Sequence, residues 1–203
     1  MAAFYLLSAP TETGVIQPWY PTNWQGGWTS PGSVKSAVRS LDTLKDGGIN
    51  GALQVSINSA TNPFRAPVVC AITRRLAAQT ISGTLDVILA ILESNAAADF
   101  FWKVYAYVSA GETDTVRGVL LDYEATTVEW PTALTGTALP AAQTLTAVVA
   151  QAGDRLVVEL GVIKRHAIST LRTATIRAGS LSATMGTTVL ADLTVGDTAT
   201  TTA

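Results

Sequence analysis

From Phe100 to Val108 the chain alternates with a period of two. Phe100, Trp102, Val104, Ala106 and Val108 share one side; Phe101, Lys103, Tyr105 and Tyr107 share the other. Only an extended strand sends successive side chains to opposite faces. The same period recurs in Leu53, Val55 and Ile57, in Leu156, Val158 and Leu160 within Arg155 to Val162, and across Thr170 to Ile176. This repetition constrains the fold more than any other feature, because a helix cannot bury such a pattern on one face.

Turn signals separate the strands: Ala60-Thr61-Asn62-Pro63, Ser94 to Asp99, Gly111-Glu112-Thr113-Asp114 and Ala152-Gly153-Asp154. Short strands at roughly 8–12-residue spacing define a sandwich or barrel. Further strands are expected at Ala3–Leu7, Val68–Leu76, Leu145–Ala150 and Val189–Leu193, with Thr84–Leu92 as one continuous buried strand. Thr115–Tyr123 is expected to form a hairpin with the preceding aromatic strand. The long connection Ala125 to Pro140 suits a Greek key or jelly roll. No fixed-period repeat is visible, which disfavours propellers and solenoids. The expected class is therefore all-β: a jelly-roll-like β-sandwich with a loop-rich N-terminal extension.

The chain divides in texture near residue 50. Residues 1–50 read as an N-terminal arm or extension, dense in Pro, Gly and Trp between Gln17 and Trp28. Pro fixes φ and Gly permits positive φ, so that stretch reads as consecutive turns. Ser33 to Leu44 fits a helix or an extended segment equally well. Residues 51–203 read as the sandwich domain. The Thr- and Ala-rich tail, Gly196 to Ala203, is expected to be an extended arm or a frayed end.

Charged residues make up only 14% of the 203 residues, with 13 basic and 15 acidic side chains and a net charge of −2. A typical domain carries about 25%. Low charge on a large surface is consistent with burial against other subunits. No basic block exists, so nucleic-acid binding lacks its main electrostatic term. Arg74-Arg75 and Lys164-Arg165-His166 are expected at solvated strand ends or subunit contacts. The longest apolar run, Val87 to Leu92, is too short to span a bilayer, and Met1 to Pro10 lacks a signal-peptide pattern. Folding in a cytoplasm and no membrane partner are expected.

Enzymatic chemistry needs convergent polar groups, and few are offered. Cys70 is the single cysteine and sits in an apolar run, so it reads as a small buried hydrophobe. His166 is the single histidine, and no G-x-S-x-G elbow accompanies it. One His and one Cys cannot supply a zinc ligand set. Asp122 and Glu124 share one strand face, and two carboxylates close in space can perform glycoside hydrolysis, although such pairs are common on solvated strand ends. Loops such as Glu112-Thr113-Asp114 or Gly196-Asp197 offer oxygen ligands of the kind calcium takes, without an EF-hand pattern. No catalytic, cofactor-binding or metal-binding residue is assigned. The best functional candidates are Trp19, Tyr20, Trp24 and Trp28, which suit a hydrophobic plug, a subunit interface or a sugar-stacking platform.

Three segments carry a family likeness. They are Gly83-Thr84-Leu85-Asp86 through Ala96; Thr113-Asp114-Thr115-Val116-Arg117-Gly118-Val119-Leu120 leading to Trp130; and Ala150-Gln151-Ala152-Gly153-Asp154-Arg155 through Gly161, followed by Arg172 to Ile176 and Ala191-Asp192-Leu193. Together they resemble a family of tailed-phage virion structural proteins, over residues 50 to 197. The chain departs from that pattern at Ala178-Gly179-Ser180-Leu181, where a richer Gly turn is usual. It also ends in Thr-Thr-Ala, so a last strand is expected to be missing or supplied by a neighbour.

The resemblance implies a non-enzymatic building part of a virion, assembled in the host cytoplasm. Its first implied role is a capsid decoration protein bound to the major capsid protein or other virion proteins, as a homo-oligomer such as a trimer. The alternatives are a tail-associated host-recognition module binding surface glycans, and a glycan-active enzyme using Asp122 and Glu124.

Overall fold

The computed structural model describes residues 2–6, 19–32, 38–42, 51–178 and 189–193. These contain thirteen strands: β1 (Ala2–Leu6), β2 (Val38–Asp42), β3 (Gly51–Ser59), β4 (Phe64–Thr73), β5 (Gln79–Leu85), β6 (Ile88–Glu93), β7 (Phe101–Ser109), β8 (Val116–Glu124), β9 (Thr135–Ala138), β10 (Gln143–Ala150), β11 (Arg155–Lys164), β12 (Ile168–Ala178) and β13 (Val189–Leu193). Among the described residues there is no α-helix. A 3₁₀ turn at Ala96–Ala98 is capped by Asn95, whose Oδ1 accepts from the Ala97 N–H at 2.9 Å.

Backbone pairing orders the strands β3-β12-β6-β13-β1-β2-β4-β11-β7-β8, with β9 added to β6 and β10 to β5. The network folds over on itself as an all-β sandwich. Leu53 and Ile57 of β3, Leu89 and Ile91 of β6 and Ala174 and Ile176 of β12 meet Val69 and Ala71 of β4, Trp102 and Val104 of β7 and Val158 and Leu160 of β11 in one core. Trp102 and Trp130 pack with centroids 5.0 Å apart inside it. Each of the larger apolar side chains contributes about 1.5–3 kcal/mol by leaving water.

The alternation of Phe100 to Val108 is realised as expected. Phe100, Trp102, Val104, Ala106 and Val108 enter the main core, and Tyr107 lies in a second cluster on the opposite face. β7 and β8 form the expected antiparallel hairpin, from Lys103 opposite Glu124 to Ser109 opposite Val116. β11 is buried along all ten residues, because β4 and β7 flank it and both of its faces are covered.

Three expectations change. The run Thr84–Leu92 is two strands, not one. Asp86 interrupts it by accepting the Val87 N–H at 2.9 Å, a local bond that competes with ladder pairing. β5 then pairs with β10, while β6 pairs with β12 and β9. In the described part of residues 1–50, β1 pairs with β13 and β2, and β2 lies parallel to β4. Within Ser33–Leu44 the extended alternative holds for Val38–Asp42, and the rest of that segment lies outside the described residues.

Lys164 is not a solvated strand end. It is fully buried, and its Nζ donates to the carbonyls of Ser59, Thr61 and His166 at 2.9, 2.9 and 2.6 Å. Burial pulls its ammonium below the ordinary lysine range. Finally, the connection from Ala125 to Pro140 contains β9. The tail Gly196–Ala203 and the Gly179-Ser180-Leu181 turn lie outside the described residues.

Candidate interaction surface

The outer face of β4, β11 and β7 carries Cys70, Ile72, Val157 and Tyr107, a buried cluster joined by Val38. Such a face needs a cover, and residues 19–32 provide it. Trp19, Tyr20 and Trp24 are half-buried against the cluster. Trp28 goes deeper, at 9% exposure, and meets Trp24 edge-on with centroids 6.1 Å apart.

What holds this loop down is polar. Glu159 lies in the middle of β11 at 0% exposure. Its carboxylate accepts from the Gln25 N–H at 2.8 Å, the Gly26 N–H at 2.9 Å and the Trp28 indole N–H at 2.6 Å. A buried carboxylate is tolerated only when its oxygens find donors, and the loop supplies three. Burial still pushes its carboxyl above the ordinary range, against the pull of Trp28, the two loop amides and Lys103. Asp114, on the β7–β8 turn, makes a second anchor: it accepts from the Thr22 backbone N–H at 2.9 Å, from the Thr22 hydroxyl and from the Asn23 amide at 3.2 Å. A third comes from the Thr29 N–H, which donates to the Arg65 carbonyl at 2.9 Å.

Two glycines make the close approach possible. A Cβ on Gly26 would lie 2.7 Å from the Trp28 indole nitrogen and 2.8 Å from the Tyr105 Cβ. One on Gly161 would lie 2.2 Å from the Ala66 carbonyl and 2.9 Å from the Trp28 ring. Real Cβ atoms do not approach so closely, so both positions require glycine on packing grounds.

Beyond Trp28 the same face carries a row of ion pairs. Lys103, 2% exposed, sits 5.9 Å from the Trp28 ring centroid. It bonds Asp122 and lies 3.4 Å from Glu124. Glu124 is also bound by Arg65. These cations hold the Glu124 carboxyl below the ordinary range despite its burial. Asp122 and Glu124 are thus both engaged by Lys103, and Glu124 by Arg65 as well.

The other candidates are placed as follows. Cys70 is wholly buried, and burial pushes its thiol up, away from the reactive thiolate. His166 Nδ1 lies 3.3 Å from Asp99 Oδ2. Glu112 is taken by Arg75 at 2.9 Å and Arg155 at 2.7 Å. Among the described residues no group of three or more His, Cys, Asp or Glu side chains is arranged to hold a metal ion. Gly196-Asp197 lies outside them.

The structure thus brings Trp19, Tyr20, Trp24 and Trp28 together on one sheet face. Of the residues that hold them there, Asp114 was named only as a turn residue and an oxygen ligand, and Glu159 was not singled out by the sequence. One signal was present: Glu159 is the lone charge in an otherwise apolar run from Leu156 to Ile163. The fold and this surface define an all-β sandwich module with an aromatic loop strapped across one sheet. Comparison of the sequence with protein-family models and with curated proteins finds no match.

Proposed function

We propose that the chain is a non-enzymatic structural protein of a phage virion, a decoration protein seated on the outer surface of the major capsid protein. The observation that carries this reading is the closure of the outer sheet face. An otherwise irregular loop is fixed there by Glu159 and Asp114 instead of leaving polar groups converging on a cleft. Asp122, Glu124 and Glu112 are engaged in ion pairs, and Cys70 is sealed in the packing. A stiff module of low charge suits a load-bearing particle surface, where large contacts form without steering charge. The passage of the chain from β8 through β9 to β10 supports jelly-roll-like connectivity. Cyclic homo-oligomers, trimers among them, fit such a surface.

Immunogold electron microscopy of intact virions tests the proposal. Gold spread evenly over heads supports decoration; absence of gold from particles that retain accessible epitopes refutes it.

The half-buried state of Trp19, Tyr20 and Trp24 favours one second reading, a tail-associated host-recognition module whose ring edges meet surface glycans. It requires gold at the tail and quenching of tryptophan emission by host glycans. Unchanged emission across a glycan panel would remove it.

A further inference from the structure

β12 leaves its partner over three residues. Ile168 pairs with Ser59 and Arg172 with Ile57, so Ser169, Thr170 and Leu171 stand opposite Asn58 alone. Bulges of this kind re-aim side chains and cluster beside functional sites. Here the bulge forms one wall of an open depression of about 360 Å³, the small end of the ligand-site range. Ser169, Thr170 and Arg172 line it from β12, His166 from the preceding turn, and Asp99 from the end of the 3₁₀ turn.

The depression is lined by one guanidinium and one carboxylate. Asp99 is the single carboxylate of the lining, and His166 Nδ1 faces it at 3.3 Å. Arg172 has no acidic partner among the described residues, and its Nε is shielded from solvent without an acceptor. A guanidinium keeps its charge at any working pH and offers paired N–H groups matched to a two-oxygen acceptor. Two hydroxyls, Ser169 and Thr170, stand beside it. Across the strand pair, Ala174 lies opposite Glu93, whose buried carboxyl is raised to about 8 and so adds little negative charge at neutral pH.

We propose that this depression binds one small oxyanion group, a carboxylate or phosphate, held by the Arg172 guanidinium with the Ser169 and Thr170 hydroxyls as further donors. The group can belong to an acidic sugar or to a phosphorylated glycan, and both present the same two-oxygen edge. This site lies apart from the aromatic loop and stands whether or not the virion reading does.

The test is a nitrogen–proton NMR titration of the full chain, with inorganic phosphate and with glucuronate separately, each against chloride at matched ionic strength. Saturable shifts confined to residues near 96–99 and 166–172 are expected with at least one probe. Response to glucuronate alone assigns a carboxylate, response to phosphate alone assigns a phosphate, and response to both supports the shared chemistry. Arg172→Met is expected to weaken binding roughly ten- to a hundredfold, and Thr170→Ala several-fold. Should Arg172→Met fail to fold, Arg172→Lys keeps the charge without the paired donors and is expected to bind at least several-fold more weakly. Absence of saturable shifts with both probes, or unchanged binding in a folded Arg172 variant, overturns the proposal.

Discussion

Replacing Glu93 by Gln should remove a pH dependence from the stability of this protein. Glu93 ends β6 at 1% exposure. One carboxyl oxygen accepts the Phe100 N–H at 3.1 Å, while the other has no partner among the described residues. Burial raises its carboxyl most, and the nearby carboxylates of Glu129 and Asp99 raise it further, to about 8, against the pull of Phe100. The folded protein therefore keeps a proton that the unfolded chain releases near the ordinary carboxylate value.

The sign follows from linkage. A raised acid stabilises fully below the unfolded value, and that stability is lost as pH rises through the folded value. The window runs from the ordinary 4.5 to about 8. At about 1.4 kcal/mol per pH unit, the loss amounts to roughly 3–5 kcal/mol across that window. A glutamine keeps the acceptor for Phe100 and presents an N–H to Glu129 without titrating.

Urea unfolding of both proteins between about pH 5 and about pH 9 is the assay, since the difference between their curves cancels groups common to both. The wild type should lose stability with rising pH relative to Glu93→Gln and become the weaker of the two at the alkaline end. Parallel curves would refute the reasoning. Glu129→Gln should reduce the same slope by a smaller amount.

Three further outcomes follow from the packing. Glu159→Ala strands the Trp28 indole and two loop amides and should cost about 3–5 kcal/mol, with a red shift of tryptophan emission; unchanged emission would mean that something else holds the loop. Gly161→Ala drives a methyl into the Ala66 carbonyl and the Trp28 ring and should cost at least about 1–3 kcal/mol, seen as a lowered thermal midpoint. Lys164→Met leaves the Ser59, Thr61 and His166 carbonyls without their donor and should cost about 2–4 kcal/mol; a thermal midpoint equal to wild type would show that water replaces the ammonium freely.

Much of the strand content was legible from alternation, because side-chain direction in a strand is a local property. Phe100 to Val108, Leu156 to Leu160 and Leu53 to Ile57 each put the expected side chains into the core. The β7–β8 hairpin was legible because its turn, Gly111 to Asp114, is local as well. Thr84 to Leu92 misled because apolarity alone does not reveal a break: the Asp86 bond to the next amide is a side-chain choice. The aromatic loop was visible as a cluster of rings, but its seat was not. Trp28 and Glu159 stand 131 residues apart, and no local pattern encodes such a meeting. The depression beside Arg172 was equally invisible, since it exists only where β12 bulges away from β3.

What the amino-acid sequence by itself determined is the class: strands, their inward faces and most of their turns, all set by the two-residue period and by residues that bend the chain. What only the tertiary structure decided is partnership. It drew β1 and β2 into the sheet network, laid β2 parallel to β4, and turned a lone glutamate in an apolar strand into the clasp of a loop. Pairing and burial join residues distant in the chain. Their free energy depends on which surfaces meet and which donors reach a buried charge, and that is settled only when the sheets close.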